Sequence, residues 1–257
     1  MFSSERRLVE YQVRGQNKTC YVLDKISSST DAYLIGLLCA DAGFSLSKNK
    51  YQKIVFYTSQ SWLSDAVSKF FNGVVSKRVR DISITNAQGK KYDYQDTVSY
   101  EVALPSKTTV SLGKFGICSL KPQRVMSGIP DKYFKSAILG FMDGDGSVVV
   151  CHRKDCRTPR LNIHFVTSCE KVLIHIQRHL ENFLNISSSI YSRNKKCFEL
   201  RINNTSSAVK FCNWIYSDLP DFYDHKKKRI FDEYISCVSS DELLESRKGQ
   251  SAAKPTE

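Results

Sequence analysis

From Lys91 to Ala103 the chain alternates. Tyr92, Tyr94, Val98, Tyr100 and Val102 fall on one side, with Asp96 as the exception. Lys91, Asp93, Gln95, Thr97, Ser99 and Glu101 fall on the other. This period of two is that of a half-buried strand. The same alternation sets Arg160, Asn162 and His164 against Leu161, Ile163 and Phe165. Further strand-like runs are Phe44 to Tyr57, Val74 to Thr85, Ser147 to Arg153, Ser188 to Ser192 and Phe198 to Ile202. Apolar residues at helical spacing predict helices near Trp62 to Phe71, Glu170 to Leu184 and Ser207 to Tyr216.

These elements repeat. Residues 31–43 and 135–147 are both short apolar helices carrying a glycine, a small residue four positions later, and then an aspartate. Gly36, Ala40 and Asp41 match Gly140, Gly144 and Asp145, each pair 104 residues apart. Each half then reads two strands, a helix, two strands and a helix. The predicted organisation is an N-terminal extension (1–29) with two strands, Leu8 to Val13 and Thr19 to Leu23, that suit an accessory hairpin or an added clamp. A first half (30–115), a linker rich in glycine, proline and basic residues (116–130), a second half (131–237) and a polar tail (238–257) follow.

Residues four apart share one helical face, and small ones let two backbones approach. Glycine inside a helix costs about 0.8–1.0 kcal/mol relative to alanine. The same cost at the same place in both copies points to a close helix pair. Asp41 and Asp145 end these helices, where the dipole disfavours a carboxylate. If the helices pair, the two carboxylates also repel one another, and a hard divalent cation with oxygen ligands relieves both problems.

The second motif, Ile138-Leu139-Gly140-Phe141-Met142-Asp143-Gly144-Asp145-Gly146, resembles that of the LAGLIDADG homing endonucleases. Its approach, Leu112-Gly113-Lys114-Phe115-Gly116-Ile117 and then Ile129-Pro130, does too. The first motif, Leu34-Ile35-Gly36-Leu37-Leu38-Cys39-Ala40-Asp41, is looser: Cys39 stands where an acid is common, and Gly43 comes one residue late. The resemblance implies an α+β fold of two pseudo-symmetric αββαββα halves, each with an antiparallel DNA-binding sheet, packed through the motif helices. It implies a monomeric site-specific endonuclease that cuts both strands and leaves 3′ overhangs. Magnesium would be held by Asp41 and Asp145 with the main-chain carbonyls of Ala40 and Gly144; calcium would occupy the site without supporting cleavage. Gln60 resembles a position that orders active-site water, and Cys169 stands at its counterpart. Lys107 is the candidate basic residue of the first half.

Charge agrees with a polyanionic partner: 38 Lys and Arg against 26 Asp and Glu give +12. The polar strand faces supply the candidate DNA contacts. They are Lys48, Lys50 and Gln52; Ser76, Arg78 and Arg80; Lys91, Asp93, Gln95, Thr97 and Ser99; Arg160, Asn162 and His164; and Arg193 and Arg201. The run His225 to Arg229 suits phosphates, which add affinity but no sequence choice.

No apolar stretch reaches the roughly 18 residues of a membrane span, and no secretory signal is expected. Nine cysteines without a Cys-x-x-Cys pair read as free thiols of a reducing intracellular compartment, the cytoplasm or an organelle matrix. Cys151, His152 and Cys156 match no standard zinc spacing. Two rival readings carry the same fold: a DNA-binding protein without cleavage, and a maturase that binds intron RNA. A self-splicing intein is disfavoured by the terminal residues.

Overall fold

The computed structural model describes residues 7–13, 16–46, 52–85, 89–152 and 159–251. Its described strands form two four-stranded antiparallel sheets and one hairpin, so the α+β class and the repeated element order hold. By packing, the chain divides into Met1–Gly144 and Asp145–Glu257.

In the first unit, β1 (Arg7–Val13) and β2 (Gln16–Val22) pair as a hairpin. Helix α1 (Ser29–Asp41) follows, and its start explains the serine cluster. Ser28 is the N-cap: its hydroxyl accepts from Asp31 N–H at 3.1 Å, and Asp31 Oδ2 accepts from Ser28 N–H at 3.0 Å. This capping box satisfies donors that the helix itself cannot. Strands β3 (Ala42–Leu46), β4 (Gln52–Thr58), β5 (Val74–Thr85) and β6 (Lys91–Ala103) form a sheet in the order β3-β4-β6-β5. Helix α2 (Ser61–Phe71) buries Leu63, Val67, Phe70 and Phe71 and covers one face of that sheet. It ends at Asn72, whose φ of 56° is the left-handed C-cap conformation that asparagine tolerates. Helix α3 (Ser106–Gly113) packs on β2 and β4. The hairpin is packed, not free-standing: Thr108 Oγ1 donates to Tyr21 O at 2.7 Å, and Asn72 Nδ2 to Thr19 O at 2.8 Å. A 3-10 turn (Lys121–Gln123) precedes α4 (Asp131–Asp145).

In the second unit, β7 (Gly146–Cys151), β8 (Arg160–Thr167), β9 (Ser189–Asn194) and β10 (Cys197–Ile202) repeat the order as β7-β8-β10-β9. Helices α5 (Glu170–Leu184) and α6 (Thr205–Ile215) cover one face of this sheet. Val172, Leu173, Ile176 and Leu180 of α5 meet the sheet at helical spacing, and Phe211 of α6 packs edge-on to Phe165 at 6.0 Å between ring centroids. Asn185 closes α5 at φ 48°, the counterpart of Asn72. Helix α7 (His225–Ser251) continues past residue 237, where composition starts the polar tail. It buries Phe231 and Tyr234, and Phe231 stacks on Tyr216.

Candidate active site and nucleic-acid interface

The repeated glycines sit where α1 and α4 touch. A Cβ added at Gly36 would run into the Ala137 carbonyl and lie 2.9 Å from Phe141 N. A Cβ added at Gly140 would meet Tyr33 and Leu37 in the same way, again 2.9 Å from the amide nitrogen. The partners keep the offset of 104 residues (Tyr33 with Ala137, Leu37 with Phe141), so the contact is its own mirror. Backbone lies on backbone here, and only glycine fits. One helical turn on, a Cβ at Gly144 would lie 2.5 Å from Ala40 Cβ and 2.9 Å from Asp41 Oδ2. The Asp41 carboxylate therefore rests against the backbone of Gly144, the residue before Asp145.

Asp41 and Asp145 are each the last residue of their helix and are partly exposed. Ala40 is buried. Among the described residues no group of three or more His, Cys, Asp or Glu side chains could hold a metal. A cation here would draw on few carboxylates and complete its shell with water and phosphate oxygens. Magnesium, which keeps several waters, suits that donor set. Asp143 has another role: its carboxylate accepts from Tyr33 Oη at 2.7 Å, a buried bond across the helix pair.

Composition hid one residue of this region. Arg124 lies in the segment read as a linker, yet it is 1% exposed. Its guanidinium donates to Ala42 O at 2.6 Å, Cys39 O at 2.9 Å and Cys118 O at 3.0 Å. A cation thus sits on the negative end of α1, beside Asp41, and offsets the cost of a carboxylate there. The only sequence hint is that Arg124 precedes apolar Val125 and Met126.

Gln60 occupies the N-cap position of α2 and Cys169 that of α5. Their backbones match: Gln60 N–H donates to Thr58 Oγ1 at 3.1 Å, and Cys169 N–H to Thr167 Oγ1 at 3.3 Å. Gln60 is partly exposed whereas Cys169 is fully buried. Lys107 is exposed in the first turn of α3. Gly43, the late glycine of the first motif, serves packing: a Cβ there would strike the Tyr57 ring at 2.7 Å.

Lys48 and Lys50 lie outside the described residues, and Gln52 opens β4. Ser76, Arg78 and Arg80 share a face of β5 and pair with Glu101, Ser99 and Thr97 of β6. The simple alternation fails beyond them and is corrected by the register. Arg80 is opposite Thr97, but Ile82 is opposite Tyr94, so Gln95 and Asp96 both face Asp81 across a bulge. Cross-strand partners share a face. Tyr92 and Tyr94 therefore join the face of Thr97 and Ser99, while Lys91 and Asp93 turn to the other. Ser83 donates to Asp93 there at 2.6 Å. In the second sheet the reading by alternation matches the register, with Arg160, Asn162 and His164 opposite Cys151, Val149 and Ser147.

That second face holds a charge the sequence did not flag. The Glu199 side chain is fully buried and bound by three neighbours. Arg193 donates to it from Nε at 2.7 Å and Nη2 at 2.9 Å, Arg201 from Nη2 at 2.7 Å, and His164 Nδ1 lies 3.0 Å away. Burial pushes the Glu199 carboxyl up, but hydrogen bonds from Arg201 and Arg193 outweigh it and hold it at about 2. Burial lowers the His164 pKa, which favours the neutral ring against the pull of Glu199.

The family model described as LAGLIDADG endonuclease matches residues 138–233. By sequence, no curated protein matches the chain. Among solved structures, the homing endonuclease I-WcaI bound to its DNA recognition sequence is 16% identical; the match covers 80% of this chain and 87% of that one, with a TM-score of 0.49. Full-length DUF199/WhiA from Thermatoga maritima is 15% identical over 88% of this chain and 69% of its own, at 0.46. I-DmoI in complex with DNA and Ca is 15% identical over 75% and 94%, at 0.44.

Proposed function

We propose that this chain, which belongs to the LAGLIDADG endonuclease family through residues 138–233, is a site-specific endonuclease that hydrolyses both strands of duplex DNA. One observation carries the reading: the reciprocal glycine contact of α1 and α4, which sets the Asp41 carboxylate against the backbone of Gly144. In this reading Asp41 and Asp145 are the magnesium ligands, joined by the carbonyls of Ala40 and Gly144. Magnesium, when bound, activates water and stabilises charge on the scissile phosphate. Arg124 keeps the end of α1 compatible with a carboxylate. Gln60 orients water and Lys107 supplies positive charge near the first strand cut. Both motif copies lie in one chain, so a single copy supplies both aspartates and cuts each strand once. The open sheet faces bind the target, and the His225 to Arg229 run adds phosphate contacts.

The test is cleavage of a selected target duplex with magnesium. Asp145→Asn should abolish cutting, by at least about a hundredfold, while binding measured in calcium persists. Undiminished cutting by that variant rejects the assignment. A second reading, sequence-specific binding without cleavage, is favoured by the burial of Cys169, which leaves the second half without a counterpart to Gln60. Absence of any magnesium-dependent product from a bound target would select it.

A further inference from the structure

Glu199 and Glu101 occupy the same place in the two sheets. Glu199 of β10 is opposite Val166 of β8, and Glu101 of β6 is opposite Tyr57 of β4. Val166 and Tyr57 are the second residues of the matching strings Phe165-Val166-Thr167-Ser168 and Phe56-Tyr57-Thr58-Ser59. Each glutamate lies between two arginines. Arg78 Nη2 is 2.7 Å and Arg80 Nη2 3.4 Å from the Glu101 carboxylate. Even the donor's step repeats: Ser76 is opposite Glu101 and Tyr191 opposite Glu199, and Arg78 and Arg193 stand two residues further along their strands.

A buried ion pair is a poor device for stability, because desolvation cancels most of the attraction. The same grouping of one glutamate with two arginines recurs at this register position in the other sheet, with Glu101 less deeply buried, and the recurrence calls for another use. The glutamates lie on the sheet faces turned away from the helices, since the alternate residues Leu200, Ile202 and Val102 are in the core. The arginine side chains stay open: 48% and 37% exposed for Arg193 and Arg201, 54% and 55% for Arg78 and Arg80. Arg193 uses its Nε and Nη2 edge on Glu199, which fixes the guanidinium plane and leaves the Nη1 edge unused on that carboxylate. Arg201 is steadied further by the Tyr191 ring, 5.1 Å away.

We infer that Glu199, and Glu101 in the first sheet, are positioning residues for base selection: they hold the paired arginines as rigid forks that read guanine in a major groove. The inference rests on the proposed DNA-cleaving function. An arginine fork matches the O6 and N7 acceptors of guanine. The carboxylate fixes the fork's direction and cancels one positive charge, which weakens its pull on phosphates and so disfavours sequence-independent binding.

The experiment is binding selection from a duplex pool with randomised sequence, in calcium, for the full chain and for Glu199→Gln. The unaltered chain should select guanine at one or two neighbouring positions. In Glu199→Gln that preference should fall about tenfold or more, while affinity for random-sequence duplex rises and its salt dependence steepens by up to about one counterion. A merely structural role moves both affinities down together; that outcome, or an unchanged base profile, overturns the inference and leaves the endonuclease reading standing. If Glu199→Gln does not fold, Glu101→Gln and Arg201→Lys decide it by the same readouts. If the unaltered chain selects no sequence, the endonuclease reading falls and takes the inference with it.

Discussion

Glu101 and Glu199 stand at one register position, yet their surroundings differ. The Glu199 side chain is fully buried beneath two arginines and a histidine; that of Glu101 is 14% exposed and met by two arginines that are both more than half open. One arrangement of charges thus stands fully buried in one sheet and at the edge of water in the other. Dielectric surroundings, not residue type, set the energy. The helix pair makes the opposite point. There the two copies match atom for atom, because backbone contact tolerates only one side chain size.

The largest effect should come from breaking that equality. Gly36→Ala and Gly140→Ala each force a Cβ into a main-chain carbonyl. Each should cost more than the about 1–3 kcal/mol of ordinary overpacking, and the two melting points should fall alike. A large difference between them would show that the pseudo-symmetry of the contact is only apparent. Next come the glutamates. Glu199→Ala removes the acceptor of three arginine hydrogen bonds and should cost about 1.5–3 kcal/mol, whereas Glu101→Ala should cost about 1 kcal/mol or less. Equal losses in urea melts would show that the two glutamates sit in equivalent surroundings. The third effect is the acid limb of stability. The Glu199 carboxyl titrates lower in the folded chain, at about 2, than its ordinary 4.5, so its contribution is complete above 4.5 and is lost as pH falls toward 2. Glu199→Gln should flatten the loss between those values in acid melts.

Much of the fold was legible in the sequence because its signals are local. Helix α5 spans Glu170–Leu184, as its apolar spacing predicts, and β5 spans Val74–Thr85. The repeat around Gly36 and Gly140 was legible for the same reason: a glycine that weakens a helix must be explained by something outside it. Alternation also placed Arg160, Asn162 and His164 together. It misplaced Lys91 and Asp93, because a bulge at Gln95 and Asp96 inserts one residue; the polar Asp96 among the apolar positions was its one trace in the pattern.

The sequence by itself determined the element order, the doubled motif, the two aspartates that end its helices and the excess of positive charge. Each depends on residues close along the chain or on simple counts. Only the tertiary structure decided that Arg124 caps α1, that Asp143 bonds Tyr33 and that Glu199 is buried among cations. Those facts join residues 85, 110 and six positions apart. Whether a charged side chain faces water or a partner is set by what folding brings against it, and the desolvation that gives such a pairing its strength arises only once the sheet and helices have closed around it.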